Sequence, residues 1–254
     1  MDTGLQGKVA VITGGAAGLG KACIPAFLAE GCKVAVCDLD EKKIAAVKTE
    51  YPDILAVRAD ISKRPELEYL ASETAKVFGG IDIWINNAGF IGARNSLLDL
   101  DEDQWDTTMD VNFKGVFMAT KVAAPYLKQR GGGVIINASS FAAIMPVAGY
   151  GAYGASKSGV SALTRVFAAE LAPMNIRVVE YAPAVFDTAM NADNIANAKQ
   201  ALLAPIALRR VGMPEELAPA IVFLASSKAS YITGTGLPVT GGKFCVQNPA
   251  VPWN

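Results

Sequence analysis

The sequence predicts a doubly wound α/β fold, a parallel sheet with helices on both faces. Two observations carry this. Short apolar runs alternate with helical stretches along the whole length, and no linker, repeat or low-complexity segment interrupts the alternation. A length of 254 residues suits one such domain, so residues 1–254 read as a single unit.

The elements follow in order. KVAVIT, residues 8–13, is an apolar run that ends in glycines and reads as a buried strand. Residues 18–30 read as a helix stopped by Gly31, with Pro25 expected to kink it or remove a backbone bond. A strand at 33–38, a helix at 41–50 and a strand within 53–60 come next, followed by a helix at 63–78 and a strand at 81–86. Two helical segments share residues 101–129, and GGVIINAS at 132–139 holds a strand. A helix spans 151–172 and ends at Pro173. A strand lies within 175–183, a last helix at 215–226 and a last strand within 236–242. The tail VQNPAVPWN is either disordered or docked through Trp253.

Composition narrows the chemistry. Hydrophobic residues make up 52% and charged residues 19%, enough apolar surface for a full core. The net charge is -1 and no basic run exceeds two residues, which argues against nucleic acid or an anionic membrane as partner. The start MDTGLQGK has no secretory pattern and the apolar stretches fall short of a membrane span, so a cytoplasmic location is expected. Cys23, Cys32, Cys37 and Cys245 form no CxxC pair and read as free thiols, the first three of them buried. The chain has no histidine, which excludes Ser-His-Asp catalysis and His-bound zinc, and no metal site is expected. Proton chemistry must rest on Tyr, Lys, Asp, Glu, Ser or Cys.

The turn from Thr13 to Gly20 joins the first strand to the first helix. Its glycines allow backbone N–H groups to approach a pyrophosphate at a positively polarised helix start. Asp38 closes the second strand 18 residues after Gly20, near the offset of about 20 expected for an acid that binds a ribose. A carboxylate there accepts ribose hydroxyls and repels a 2′-phosphate. Ala17 offers no cation and Lys33 lies at the far end of the strand, so NAD is the expected cofactor. Tyr153 and Lys157 are four apart on one helix face. Free tyrosine titrates at about 10, and a nearby ammonium together with an oxidised nicotinamide is expected to lower that value.

Taken together, TGGAAGLG, NNAG at 86–89, Asn112 in VNFKGVF, the serines of NASS at 137–140 and YGASK at 153–157 resemble the short-chain dehydrogenase/reductase family from Gly7 to about Gly242. The resemblance implies a Rossmann-type fold, a homotetramer, and an oxidoreductase passing hydride between NAD and a secondary alcohol or ketone. It implies Tyr153 as acid/base and Lys157 as its tuner and a ribose ligand. It implies Ser140, thirteen residues before Tyr153, as the hydroxyl on the substrate oxygen, and Asn112 as the holder of a relay water. Cofactor contacts are implied at Gly14, Gly18, Leu19, Gly20, Asp38, Leu39, Asp60, Ile61, Asn87, Ala88, Gly89, Tyr153, Lys157, Pro183, Phe186 and Thr188. The NNAG amides also read as ties between strands. Val179, Ala184 and Thr240 depart from the family pattern of Asn, Gly and Asp.

Two rival readings remain. One is a reductase of carrier-bound acyl groups, for which Lys128, Arg130 and Arg165 are the candidate basic patch, or else a solvated helix face. The other is an NAD-binding regulator without catalysis, which the four intact catalytic positions oppose. Phe90, Ile91, Phe141, Ile144, Met145, Val147, Tyr150, Phe186 and Met190 are candidates for an apolar pocket. Arg94 either meets an anionic substrate group or is a solvated loop cation. Polyols, hydroxyketones and cyclic alcohols all remain open as substrates.

Overall fold

The structure, a computed structural model, describes residues 2–246. Among these, seven strands form one parallel sheet in the order β3-β2-β1-β4-β5-β6-β7. The strands are β1 (Val9–Thr13), β2 (Lys33–Asp38), β3 (Leu55–Arg58), β4 (Ile83–Asn86), β5 (Gly133–Ala138), β6 (Ile176–Pro183) and β7 (Gly236–Val239). The helices between them are α1 (Gly18–Ala29), α2 (Glu41–Glu50), α3 (Arg64–Phe78), α4 (Glu102–Met109), α5 (Gly115–Gln129), α6 (Phe141–Ile144), α7 (Gly151–Leu171), α8 (Ala192–Leu203) and α9 (Pro214–Ala225). This is the expected doubly wound, Rossmann-type architecture. The order reverses between β1 and β4, the place where such sheets open a crevice at the C-terminal ends of their strands.

The strand sequences explain why both faces are covered. Alternate residues of β1 serve different layers: Ala10 and Ile12 belong to the core beneath α1 and α9, and Val11 to the core beneath α3, α5 and α7. Strand β4 does the same, sending Ile83 and Ile85 one way and Trp84 the other. A strand apolar at every position fits only a sheet buried on both sides.

Helix ends are tied by ordinary chemistry. Asp40 caps α2 by accepting from the N–H groups of Lys42 and Lys43. Arg177, half-buried on β6, donates to the carbonyls of Leu224 and Ser226 at the end of α9 and of Ile232. Pro25 lies inside α1 without dividing it.

Most boundaries fall within two residues of expectation. Two helices were not foreseen, α6 and α8. Helix α8 buries none of its residues and bends at Ala198, whose φ is -140, so it carries no core-facing stripe for periodicity to detect. Cys23, Cys32 and Cys37 are buried thiols, and burial pushes each up to about 12. Cys245 is exposed. Among the described residues no helix is long and apolar enough to cross a membrane. Of the tail, residues 247–254 and with them Trp253 lie outside the described residues.

At the N-terminal edge of the sheet, Asp82 is 3% exposed. Its carboxylate accepts from Val9 N at 3.0 Å, Lys8 Nζ at 3.2 Å and Arg130 Nε at 3.2 Å. Burial alone would raise its pKa, but these partners outweigh that and hold the carboxyl below its ordinary value. Replacing it strands two cations and a buried N–H. Asp82→Ala is therefore expected to cost about 2–3 kcal/mol at neutral pH, read by urea unfolding. Because the folded carboxyl titrates low, its contribution is present above about pH 4 and is lost as pH falls through the folded value. The difference between wild type and Asp82→Ala should accordingly shrink in acid.

Candidate active site

The C-terminal ends of the strands surround a cavity of about 810 Å³. Its floor is the turn after β1. Gly14 has φ +61, and a Cβ there would lie 2.8 Å from Ala88 Cα. At Gly20 a Cβ would lie 2.3 Å from Gly14 O and 2.5 Å from Asn87 Nδ2. Only glycine lets the first turn of α1 approach this closely. Ala17 caps α1 with no side-chain bond and no acid occupies the first turn, so the positive helix end faces the cavity.

Thr13 and Asn87 tie the turn to β4. Thr13 Oγ1 accepts from the N–H of Asn87 at 3.0 Å and of Ala88 at 3.1 Å. Asn87 Nδ2 donates to Thr13 O and Gly14 O, and Asn87 Oδ1 accepts from Tyr181 Oη at 2.8 Å. The neighbouring Asn86 donates to Asn137 Oδ1 at 2.8 Å, and Asn137 donates to Thr164 at 2.9 Å. The NNAG amides therefore do tie strands together.

The expected cofactor residues Gly14, Gly18, Leu19, Asp38, Leu39, Asp60, Ile61, Asn87, Ala88, Gly89, Pro183, Phe186 and Thr188 all line this cavity. Gly20 does not; it is buried behind the turn, where its role is close packing. Lys43, which motif reading passed over, also lines the cavity, with its Nζ 3.6 Å from the Asp40 carboxylate.

Ser140, Tyr153 and Lys157 line the same cavity on the far side of the turn. Ser140 caps α6, its Oγ accepting from Ala142 N at 3.0 Å. Lys157 is 3% exposed and donates to Ala138 O at 2.8 Å. Its Nζ sits 5.8 Å from the centre of the Tyr153 ring. Burial pushes Lys157 down to about 8, with the Glu180 charge opposing. The expected lowering of Tyr153 is not met by the protein alone: burial pushes its phenol up, and Ser140 offsets this only in part.

Asn112 does not reach the cavity wall. It sits fully buried in a π-helical turn at Asp110–Lys114, between α4 and α5. Its Oδ1 accepts from Phe90 N at 2.7 Å, and its Nδ2 donates to Phe90 O at 2.7 Å and to Ser156 Oγ at 3.1 Å. Both amide hydrogens are used, so the side chain clamps the loop after β4. Behind Lys157, Glu180 Oε1 accepts from Ser161 Oγ at 2.8 Å, and Ser161 Oγ lies 2.9 Å from Ser139 Oγ. Glu180 Oε2 is buried with no hydrogen-bond partner. Burial raises this carboxyl, while Ser161, Thr164, Arg165 and Lys157 lower it.

The remaining wall is largely apolar. Phe90, Ile91, Phe141, Val147, Tyr150, Phe186 and Met190 take part, whereas Ile144 and Met145 point elsewhere and are exposed. Sequence reading missed Tyr181, Lys243 and helix α8, which presents Asn194, Ala198 and Leu202 to the cavity. Their i, i+4, i+8 spacing was the available signal. Lys128, Arg130 and Arg165 do not line the cavity, and Arg130 is paired with Asp82 at the opposite sheet edge, so they form no basic patch beside the pocket. Val179 is packed in the core of β6, and Ala184 lines the cavity.

Comparison with known proteins agrees with this geometry. A family profile described as Enoyl-(Acyl carrier protein) reductase matches residues 14–243. The chain is 37% identical to a 3-oxoacyl-(acyl-carrier-protein) reductase of Thermotoga maritima, over 94% of this chain and 98% of that one. It is 36% identical to an NAD-dependent glycerol dehydrogenase of Listeria innocua, over 95% of each. The crystal structure of a short-chain type dehydrogenase/reductase from Mycobacterium marinum superposes with a TM-score of 0.90 at 31% identity, covering 95% of this chain and 97% of that one. With its glycine turn, its Tyr-Lys helix and these relatives, the chain belongs to the short-chain dehydrogenase/reductase family of oxidoreductases.

Proposed function

We propose that the protein is an NAD-dependent oxidoreductase interconverting a secondary alcohol and a ketone. The observation that carries this is the convergence of Ser140, Tyr153 and Lys157 on one cavity that also takes in the glycine turn and Asp38. Bound NAD supplies the hydride acceptor for the alcohol carbon. Its fit rests on the unblocked start of α1 for the pyrophosphate and the Asp38 carboxylate for a ribose. The NAD-dependent Listeria relative supports the same choice.

In this reading the Tyr153 phenolate takes the hydroxyl proton while the Ser140 hydroxyl holds the substrate oxygen. Lys157 stabilises the phenolate and holds the ribose. Asn112 clamps the loop after β4 and, in the same proposal, holds the relay water of the proton path. Reduction runs the same proton path backwards. A homotetramer is part of the proposal, supported by half-exposed Phe117 and Val166 on α5 and α7, and light scattering of the purified protein tests it. A second reading, reduction of carrier-bound 3-oxoacyl groups, is favoured by the Thermotoga relative. NADH formation or consumption across secondary alcohols, polyols, hydroxy acids and 3-oxoacyl thioesters separates the two. Cofactor binding with no turnover on any of them would point to a regulator instead.

Three outcomes are expected. Tyr153→Phe should lower kcat by at least ~10²-fold while NADH binding, followed by fluorescence, stays near wild type; a variant that keeps its rate would remove Tyr153 from the mechanism. Oxidation should speed up between about pH 7 and 10, because phenolate is the competent base and burial pushes the phenol up. Lys157→Met should lower the maximum and move that limb to higher pH, and an unmoved limb would deny Lys157 its tuning role. Finally, kcat/KM should favour NAD over NADP by about tenfold or more, since each 1.4 kcal/mol of repulsion is about tenfold. Asp38→Ala should narrow that ratio, all the more because Lys43 lines the same end of the cavity.

A further inference from the structure

The substrate end of the cavity carries two cations that no carboxylate among the described residues answers. Arg94, in the loop after β4, lies with its Cζ 5.9 Å from the centre of the Tyr150 ring. Lys243, in the loop after β7, lies with its Nζ 5.5 Å from the centre of the Phe141 ring. Both side chains line the cavity. Their ring partners adjoin the proposed reacting centre, for Phe141 follows Ser140 directly and Tyr150 precedes Tyr153 by one helical turn. Neither cation belongs to an ion pair among the described residues.

The charge along the cavity is therefore uneven. Its lining carboxylates are Asp38, ending β2, and Asp60, just past β3. Ser140 follows β5, three strands from β2, and Lys243 follows β7, five strands away. Strand spacings of about 4.8 Å put roughly 14 Å or more between these ends. That exceeds the screening length of about 8 Å in physiological salt. Lys43 and Asp40 balance each other near the Asp38 end, and Lys157 is committed to Ala138 O. Among the described residues that line the cavity, Arg94 and Lys243 are the cations left without an anion. Lys243 is half-buried, and loss of water lowers the pKa of its ammonium. A desolvated cation is favourable when an anion enters beside it.

We infer that Arg94 and Lys243, entering from two loops, make the substrate end of the cavity anion-selective, and that the substrate is a hydroxy acid or keto acid whose carboxylate is held in their field while its carbinol or carbonyl carbon lies at Ser140 and Tyr153. This rests on the alcohol/ketone reading above and narrows its substrate class. The two cations enter from loops three strands apart, the exposed Arg94 after β4 and the half-buried Lys243 after β7, so each adds its charge separately to the field an entering carboxylate meets.

The test compares 2- and 3-hydroxy acids with their methyl esters under saturating NAD. The expected result is a kcat/KM at least about tenfold higher for an acid than for its ester, with a KM for the acid that rises as NaCl is added. In Lys243→Met, and separately in Arg94→Gln, the acid-to-ester ratio should collapse toward one. Esters used as well as acids, a salt-insensitive KM, or an unchanged ratio in both variants would overturn the anion selectivity and leave the alcohol/ketone reading standing. Calorimetry of the same hydroxy acids on the wild-type enzyme–NADH complex provides a readout without turnover. Binding that weakens at least about tenfold in Lys243→Met supports the anion selectivity even where no hydride passes, an outcome that would sink the reaction instead. No binding of any hydroxy acid overturns the anion selectivity.

Discussion

The site depends on one close approach. Helix α1 starts so near the ends of β1 and β4 that a single methyl at Gly20 would collide with Gly14 O and Asn87 Nδ2. Because no methyl is there, Asn87 reaches under the turn and its amide hydrogens bind Thr13 O and Gly14 O. That bond fixes the turn and, through Tyr181 on Asn87 Oδ1, links it to β6. Without the contact, the positive end of α1 would have no fixed aim, and the β1–β4 switch point would be a gap without a floor. The cofactor end and the catalytic end are thus held by one small knot of main-chain carbonyls and an amide.

At the catalytic end the governing quantity is desolvation. Lys157 is an ammonium with almost no exposure and one hydrogen-bond acceptor in Ala138 O. Burial, opposed by the Glu180 charge, brings it to about 8, and burial moves Tyr153 the opposite way. Both shifts disfavour charge, so the protein by itself holds this pair nearer neutrality than the separated side chains would be. The Glu180 charge opposes this at Lys157 only, holding its ammonium up from the layer beneath. A second positive charge close to the phenol would tip the balance toward phenolate, which is why a positively charged nicotinamide suits this site electrostatically.

What could be read from the sequence was what is local. The glycine turn, Asp38 at a strand end and the Tyr153–Lys157 spacing lie within short windows, and the strands of a doubly covered sheet announce themselves as unbroken apolar runs. What escaped depends on contacts between distant segments. Helix α8 packs none of its residues into the core, so only the Asn194, Ala198, Leu202 spacing hinted at it. Lys243 belongs to no motif, and only the loop after β7 lays it on Phe141. The clamp that Asn112 makes was not legible either, because its partners Phe90 and Ser156 are 22 and 44 residues away. Arg130 looked like part of a basic patch because its partner Asp82 lies 48 residues upstream.

The two edges of the sheet divide the electrostatics accordingly. At the N-terminal edge each buried charge is answered within the fold: Asp82 by Lys8 and Arg130, Arg177 by three carbonyls. Such closure favours stability, since a satisfied group gains nothing from a ligand. At the C-terminal edge the groups are left partly unanswered, with α1 uncapped, Arg94 and Lys243 unpaired and Glu180 Oε2 orphaned. Arg94, Lys243 and the start of α1 line the cavity, so an entering group of negative charge would meet them there. Charge along the cavity wall is thus divided, with carboxylates at Asp38 and Asp60 and cations around Phe141 and Tyr150, and the proposed cofactor and substrate readings both draw on that division.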